Sequence, residues 1–223
     1  MAEQQGIIAG QAAPLPLENL DTDQIMPKQF LRGIDKAGLA QGLLYDLRHD
    51  SQGKTRGDFV LNQSGYANSN ILIAGANFGC GSSREHAVWG LMQFGIRAII
   101  APSFGEIFYF NALNNGLVLI TLDTAIVQSL MQQAGATGSS LPVRIDLNQQ
   151  QLTTADAQYP FALSPRHRDM FLQGTDLTGA TLARLAEIQA FAQAYWERNP
   201  WNKDVAHVAR AQLASGQNGA STL

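Results

Sequence analysis

Ten consecutive residues, Asn77-Phe78-Gly79-Cys80-Gly81-Ser82-Ser83-Arg84-Glu85-His86, hold two glycines, two hydroxyls, a cation, a carboxylate and an imidazole. An apolar run, Ile71-Leu72-Ile73-Ala74, precedes them, and a helix-like segment over 84–94 follows. Strand, glycine-rich turn and helix together present backbone N–H groups to an anion, and the helix start adds partial positive charge. Arg84 can grip a carboxylate or phosphate with two parallel hydrogen bonds. Three motifs that share these residue types fail here. The dinucleotide fingerprint lacks its third glycine, because Arg84 stands there. The phosphate loop lacks its lysine, and the hydrolase elbow ends in Glu85 instead of glycine. What remains is a carboxylate-sized anion site with a serine at its edge.

The elements that must position this stretch are legible in the hydrophobic pattern. A short strand at Ile7-Ile8-Ala9-Gly10 is expected to give way to a Pro-broken connection over 12–17, and further strands are expected at 58–61, 71–74, 97–101, 117–120 and 143–147, the last by strict alternation. Helices are expected over 84–94, with Ala87, Leu91 and Phe94 facing the core, over 106–113, stopped at Asn114-Asn115-Gly116, and over 124–133. Strand–helix–strand–helix–strand between 71 and 120 implies parallel pairing with crossovers. Tyr159-Pro160-Phe161-Ala162-Leu163 is expected to pair with 143–147 as an antiparallel hairpin. Helices at 165–173 and 177–198 close the domain, the second with Ala183, Ala186, Ile188, Phe191 and Tyr195 as a buried stripe. The glycine-studded stretch 28–56 reads equally as a functional loop or as frayed helix. The fold class is α/β, as one domain over 1–202 with a mobile tail at 203–223.

Composition narrows the function. A chain of 223 residues can bury a full core, and its net charge of −3 comes without a Lys/Arg cluster, so nucleic acid has no electrostatic footprint. No apolar run is long enough to span a membrane, and the first residues lack the features of a signal peptide. The single cysteine, Cys80, fits a reducing cytoplasm and cannot by itself hold an iron–sulfur cluster or a structural zinc. Any metal the chemistry needs must come from another chain.

The string N-F-G-C-G-S-S-R-E-H closely resembles the swivel-domain motif of the aconitase superfamily, and with Cys80 it is most similar to the small subunits of bacterial 3-isopropylmalate dehydratases. Asp21-Thr22-Asp23-Gln24-Ile25-Met26-Pro27-Lys28-Gln29-Phe30-Leu31 resembles the N-terminal signature of that family. Ala101-Pro102-Ser103-Phe104, Ile107-Phe108 and Asn114-Asn115-Gly116 resemble its next block. Three blocks in order, over residues 6–201, are a specific match.

The resemblance implies a swivel-type β/β/α domain whose mixed sheet or barrel core is flanked by helices. It implies a hydro-lyase that moves the hydroxyl of 2-isopropylmalate through isopropylmaleate to 3-isopropylmalate, in leucine biosynthesis. A separate large subunit, in a heterodimer or heterotetramer, would carry a [4Fe–4S] cluster as Lewis acid, and this chain would bind no cofactor. Ser82 would be the catalytic base. Ser83 and Arg84 would hold a substrate carboxylate, and Thr22 and Asp23 would line the site. Taken alone, Asp-Thr-Asp is an Asx-turn or a helix cap, and Ser82 or Ser83 an N-cap. The superfamily's serine three residues after Asp23 is Met26 here and carries no role. Arg32 is a second candidate for gripping substrate, and 28–56 is the expected contact for its variable side chain. Glu85 is expected to satisfy first-turn N–H groups or brace Arg84, and His86 to be structural. The alternatives are a related hydro-lyase acting on dimethylmalate, citramalate or homoaconitate, and a non-catalytic carboxylate-binding domain.

Overall fold

A computed structural model describes residues 6–31, 37–136 and 138–217. Among them, seven strands form one mixed sheet: β1 Ile7–Leu15, β2 Ile71–Ala74, β3 Ala98–Ala101, β4 Val118–Thr121, β5 Leu141–Asp146, β6 Gln151–Thr153 and β7 Gln158–Pro160, in the order β4-β3-β2-β1-β5-β6-β7. The helices are α1 Thr22–Ile25, α2 Leu39–Gly42, α3 Tyr45–Arg48, α4 Glu85–Phe94, α5 Glu106–Asn115, α6 Thr124–Ala136, α7 Pro165–Gln173, α8 Leu177–Leu182, α9 Leu185–Arg198 and α10 Val205–Gln217. Contact density divides the chain into two compact units, Met1–Leu177 and Thr178–Leu223.

Strands β1 to β4 run parallel, and β5 to β7 are antiparallel. The parallel strands β2 and β3 are buried throughout, which is why they read as unbroken apolar runs. Alternation still decides which layer each residue joins. Leu72, Ala74, Ile99 and Leu119 point into a core shared with Ala87, Val88 and Leu91 of α4 and Phe108 and Ala112 of α5. Ile71, Ile73, Ile100 and Ile120 point the other way, onto Val127, Leu130 and Ala134 of α6. The sheet is therefore sandwiched between helices, and the expected mixed-sheet α/β fold is what the chain adopts.

The structure differs from the sequence-based expectation in several places. β1 is not a short strand broken by proline; it runs nine residues through Pro14. Pairing with β5 ends at Ala12, whereas pairing with β2 continues to Leu15, so Pro14 lies where only one neighbour remains. Residues 58–61 do not form a strand: Val60–Asn62 is a 3₁₀ turn. There the Asn62 amide donates to the carbonyls of Arg48 and Arg56, supplying local partners in place of a ladder. β5 does not pair with β7. The short polar β6 sits between them, its reversal set by Asp146, which accepts from the backbone N–H of Asn148 and Gln149. In the second unit the expected single helix breaks at Ala183–Arg184 into α8 and α9. The predicted stripe is not buried, since Ile188, Phe191 and Tyr195 are exposed. The stretch after Lys203, expected as a tail, is helical over Val205–Gln217.

Within 28–56, the described part is built of short turns. Leu39, Leu43 and Leu44 are buried in the core, while 50–58 is an exposed turn in which Asp50 accepts from Gln52 and Lys54. Arg32 lies outside the described residues.

Candidate active site

Three loops leave the carboxyl ends of the parallel strands side by side. Residues 16–21 follow β1, 75–84 follow β2, and 102–105 follow β3. Backbone bonds continue the sheet pattern into them. Asn19 N–H donates to Ala76 O at 2.8 Å, Gly79 N–H to Leu20 O at 2.8 Å, and Thr22 N–H to Cys80 O at 2.9 Å. On the other side Phe78 N–H donates to Ser103 O at 3.1 Å and Gly105 N–H to Phe78 O at 2.9 Å. Isolated parallel bridges join Asp21 with Cys80 and Phe78 with Phe104. The carboxyl edge of a parallel sheet is where open α/β folds place their ligands, and the ten-residue motif occupies it.

Two glycines make this close packing possible. Gly79 has φ of +74°, and a Cβ there would fall 2.3 Å from the Phe108 ring. Gly81 has φ of +94°, also in the left-handed region that side chains disfavour. Phe78, fully buried, anchors the loop through edge-on contacts with Phe104 and Phe108.

This arrangement brings Thr22 onto Ser82. Thr22 is 1% exposed; its hydroxyl donates to Ser82 O at 3.0 Å, and its Oγ1 lies 3.3 Å from Ser82 Oγ. The residues are sixty apart in sequence. Ser82 and Ser83 themselves are exposed. Neither caps α4: the N-cap is Arg84, and no side chain accepts from the first turn. Both hydroxyls are thus kept off the helix, on an open face beside an uncapped, partially positive helix start.

Arg84 Nη1 forms an ion pair with Asp23 Oδ1, a contact without the alignment of a hydrogen bond. Lys28 Nζ approaches the other Asp23 oxygen at 3.9 Å, but this pair is exposed and weak. Asp21, which opens α1, does serve as a helix cap. Its carboxylate accepts from Gln24 N–H at 2.7 Å, and the Gln24 side chain accepts from Asp21 N–H at 3.1 Å, a capping box. All five predicted residues, Thr22, Asp23, Ser82, Ser83 and Arg84, therefore come from the two adjoining helix starts.

The neighbours of the motif have separate tasks. Glu85 does not brace Arg84. Its Oε1 accepts from Asn115 Nδ2 at 2.7 Å, and Asn115 Oδ1 accepts from Trp89 Nε1 at 2.9 Å. The His86 ring rests against Trp89, centroids 4.7 Å apart. Cys80 donates its thiol to Asn19 O at 3.3 Å. Met26 is fully buried and fills the space beside Gly90, where a Cβ would meet its methyl at 2.0 Å, so this position is core. The cap that Asp-Thr-Asp suggests is supplied by Asp21. Sequence reasoning missed Asn115 as the link to Glu85, because it lies thirty residues away and had no local signal. Two hollows of about 580 and 380 Å³ share Pro102 and Thr121 beyond β3 and β4, and neither is lined by the five residues.

Comparison with known proteins places this fold in a family. The family model described as the aconitase C-terminal domain matches residues 4–125, a span that contains all three loops and both helix starts. The chain belongs to the aconitase C-terminal domain family. A 3-isopropylmalate dehydratase small subunit 1 of Chromobacterium violaceum is 57% identical over 207 residues, covering 93% of this chain and 97% of that protein. A 3-isopropylmalate dehydratase small subunit of Phenylobacterium zucineum is 48% identical over 191 residues, covering 85% and 93%. The crystal structure of 3-isopropylmalate dehydratase from Methanocaldococcus jannaschii matches with a TM-score of 0.59 at 29% identity, covering 83% of this chain and 99% of that one. Within the aconitase C-terminal domain family, the chain belongs with the 3-isopropylmalate dehydratase small subunits.

Proposed function

We propose that this chain is the small subunit of a 3-isopropylmalate dehydratase, a hydro-lyase of leucine biosynthesis that interconverts 2- and 3-isopropylmalate through isopropylmaleate and works with a large subunit. The observation that carries the reading is the convergence of Ser82, Thr22 and the Arg84–Asp23 pair from two segments sixty residues apart.

The chemistry has two demands. A carbon-bound proton next to a carboxylate must be removed, and a hydroxide must leave. Ser82 Oγ is assigned the first. Serine is a weak base, so its alkoxide needs donors. The Thr22 hydroxyl, 3.3 Å away, can turn from Ser82 O to Ser82 Oγ, and the uncapped start of α4 adds favourable potential. In dehydration Ser82 takes the proton, the C–O bond breaks and isopropylmaleate forms; in rehydration the proton returns to the neighbouring carbon. Arg84 and Ser83 are assigned a substrate carboxylate, which would share or displace Asp23 on the guanidinium.

The leaving hydroxide calls for a Lewis acid. The residues of this chain do not fit an iron–sulfur cluster. Cys80 is its single cysteine, and that thiol is engaged with Asn19 O. We assign a [4Fe–4S] cluster to the large subunit. No helix among the described residues is long and apolar enough to cross a membrane, and we place the enzyme in the cytoplasm.

The test is anaerobic reconstitution with the cognate large subunit, following isopropylmaleate by ultraviolet absorbance. 2-Isopropylmalate, citramalate, dimethylmalate and homocitrate are compared side by side. Turnover of 2-isopropylmalate well above the others is expected. Preference for another acid moves the substrate assignment and keeps the reaction class. No turnover of any, with a loaded cluster, overturns the reading.

A further inference from the structure

We propose that Asn115 is a positioning residue for this site: through Glu85 it holds the start of α4, and with it the Ser82–Arg84 turn, in register with Thr22 and Asp23. The inference rests on the reading of that turn as the substrate-binding element.

The start of α4 has no side-chain cap, so its place is set by tethers from neighbouring elements. On one side these are Thr22 and Asp23. On the other side is Asn115. Its Nδ2 donates to Glu85 Oε1 at 2.7 Å and to Asn111 O at 2.8 Å, and its Oδ1 accepts from Trp89 Nε1 at 2.9 Å. Both amide hydrogens and the amide oxygen are thus used. Glu85 follows Arg84 directly, and Trp89 lies one turn further along α4. One side chain therefore grips two successive turns and fixes both the rotation and the axial position of the helix start.

The grip has a firm base. Asn115 is the last residue of α5, and Gly116, with φ of +80°, closes that helix onto Leu117 and β4. The bond to Glu85 is charge-assisted and partly buried, the stronger kind. It also keeps the Glu85 carboxylate turned to α5. Released, that carboxylate stands one residue from Arg84 and competes with substrate for the guanidinium. Loss of the grip should therefore appear in substrate affinity before it appears in turnover.

The experiment uses the reconstituted holoenzyme with 2-isopropylmalate. Asn115→Ala is expected to raise KM about tenfold with kcat within about twofold, and Glu85→Ala, which loses the tether but leaves no competing carboxylate, to raise KM less, about threefold. Glu85→Gln, which keeps the acceptor, should hold KM near the parent value. The double alanine variant should be no worse than the poorer single one, because both remove the same bond. A merely structural role would lower the unfolding temperature and the active fraction but leave KM alone. Unchanged KM in both alanine variants, or penalties that multiply in the double, overturns the proposal. If the parent pair turns over no 2-isopropylmalate, the functional reading fails separately. Amide hydrogen exchange on the full chain then decides: Asn115→Ala should speed exchange at residues 85–89 and not in α6, and equal protection there overturns the clamp.

Discussion

The turn that starts α1 and the turn that starts α4 lie against each other at the carboxyl edge of the sheet, yet only the first closes its own hydrogen bonds. Asp21 and Gln24 satisfy one another in a capping box, and Thr22 is buried behind it. Around Arg84 nothing of the kind happens. Its serines are exposed, the first-turn N–H groups lack a side-chain acceptor, and the turn is held from outside by Thr22, Asp23 and Asn115. The capping pair Asp21 and Gln24 is scaffold, since its polar groups are spent on each other. An open turn held by neighbours keeps donors for a ligand while losing little precision. The contrast explains why two adjoining polar turns, Asp-Thr-Asp and Ser-Ser-Arg, are assigned different work.

The contrast is broken or sharpened by variants on either side. The largest effect is expected from Ser82→Ala, which removes the assigned base: kcat should fall by about 10²–10⁴-fold with KM nearly unchanged. Steady-state kinetics with the large subunit check this, and full turnover would sink the assignment. Next is Arg84→Lys, which cannot reproduce a two-bond grip and should raise KM about tenfold; an unchanged KM counts against Arg84 as a carboxylate ligand. Thr22→Val keeps the shape and deletes the hydroxyl. One neutral hydrogen bond, about 1 kcal/mol, predicts a fall in kcat of about fivefold, with Thr22→Ser restoring it.

The closed turn should behave differently. Asp21→Ala loses the cap and should cost about 1 kcal/mol of stability, seen as a drop of about 2–4 °C in unfolding temperature. Kinetic parameters should stay near the parent values; a large loss of kcat without a thermal shift would erase the distinction between scaffold and working turn.

The smallest effect lies away from both turns. His167, 3.3 Å from the Tyr109 hydroxyl, is held below the ordinary imidazole value, first by burial and then by the charge of Arg166. The unfolded chain takes up this proton near the ordinary value, about 6.5, and the folded chain only at lower pH. The contribution to stability is therefore complete above that value and lost as pH falls through it toward the folded pKa. His167→Asn should flatten this acid-side slope in thermal melts.

The candidate site at the carboxyl edge was legible in the sequence because its signals are local. Gly79 and Gly81 mark a turn, the run Ile71–Ala74 marks a buried strand, and the polar residues between them have few structural uses in common. The parallel strands were legible for the same reason, since burial on both faces leaves an uninterrupted apolar run. What escaped was polar or interrupted. β6 is three residues with two polar side chains, and nothing in Gln-Leu-Thr demands a strand until β5 and β7 stand on either side. Pro14 reads as a break until the end of β5 shows that one edge is free. The stripe on α9 has helical period, but period cannot say whether anything lies against it.

By itself the sequence determined the α/β class, the order of strands and helices from Ile71 to Thr121 and the family to which the chain belongs. Each follows from residue types and spacings within a few turns of chain. The tertiary structure alone decided that Thr22 bonds to Ser82, that Asp23 pairs with Arg84, that Asn115 and not the helix itself secures Glu85, and that Met26 is core. Those contacts join residues across separate loops, and only the pairing of β1, β2 and β3 brings the loops together.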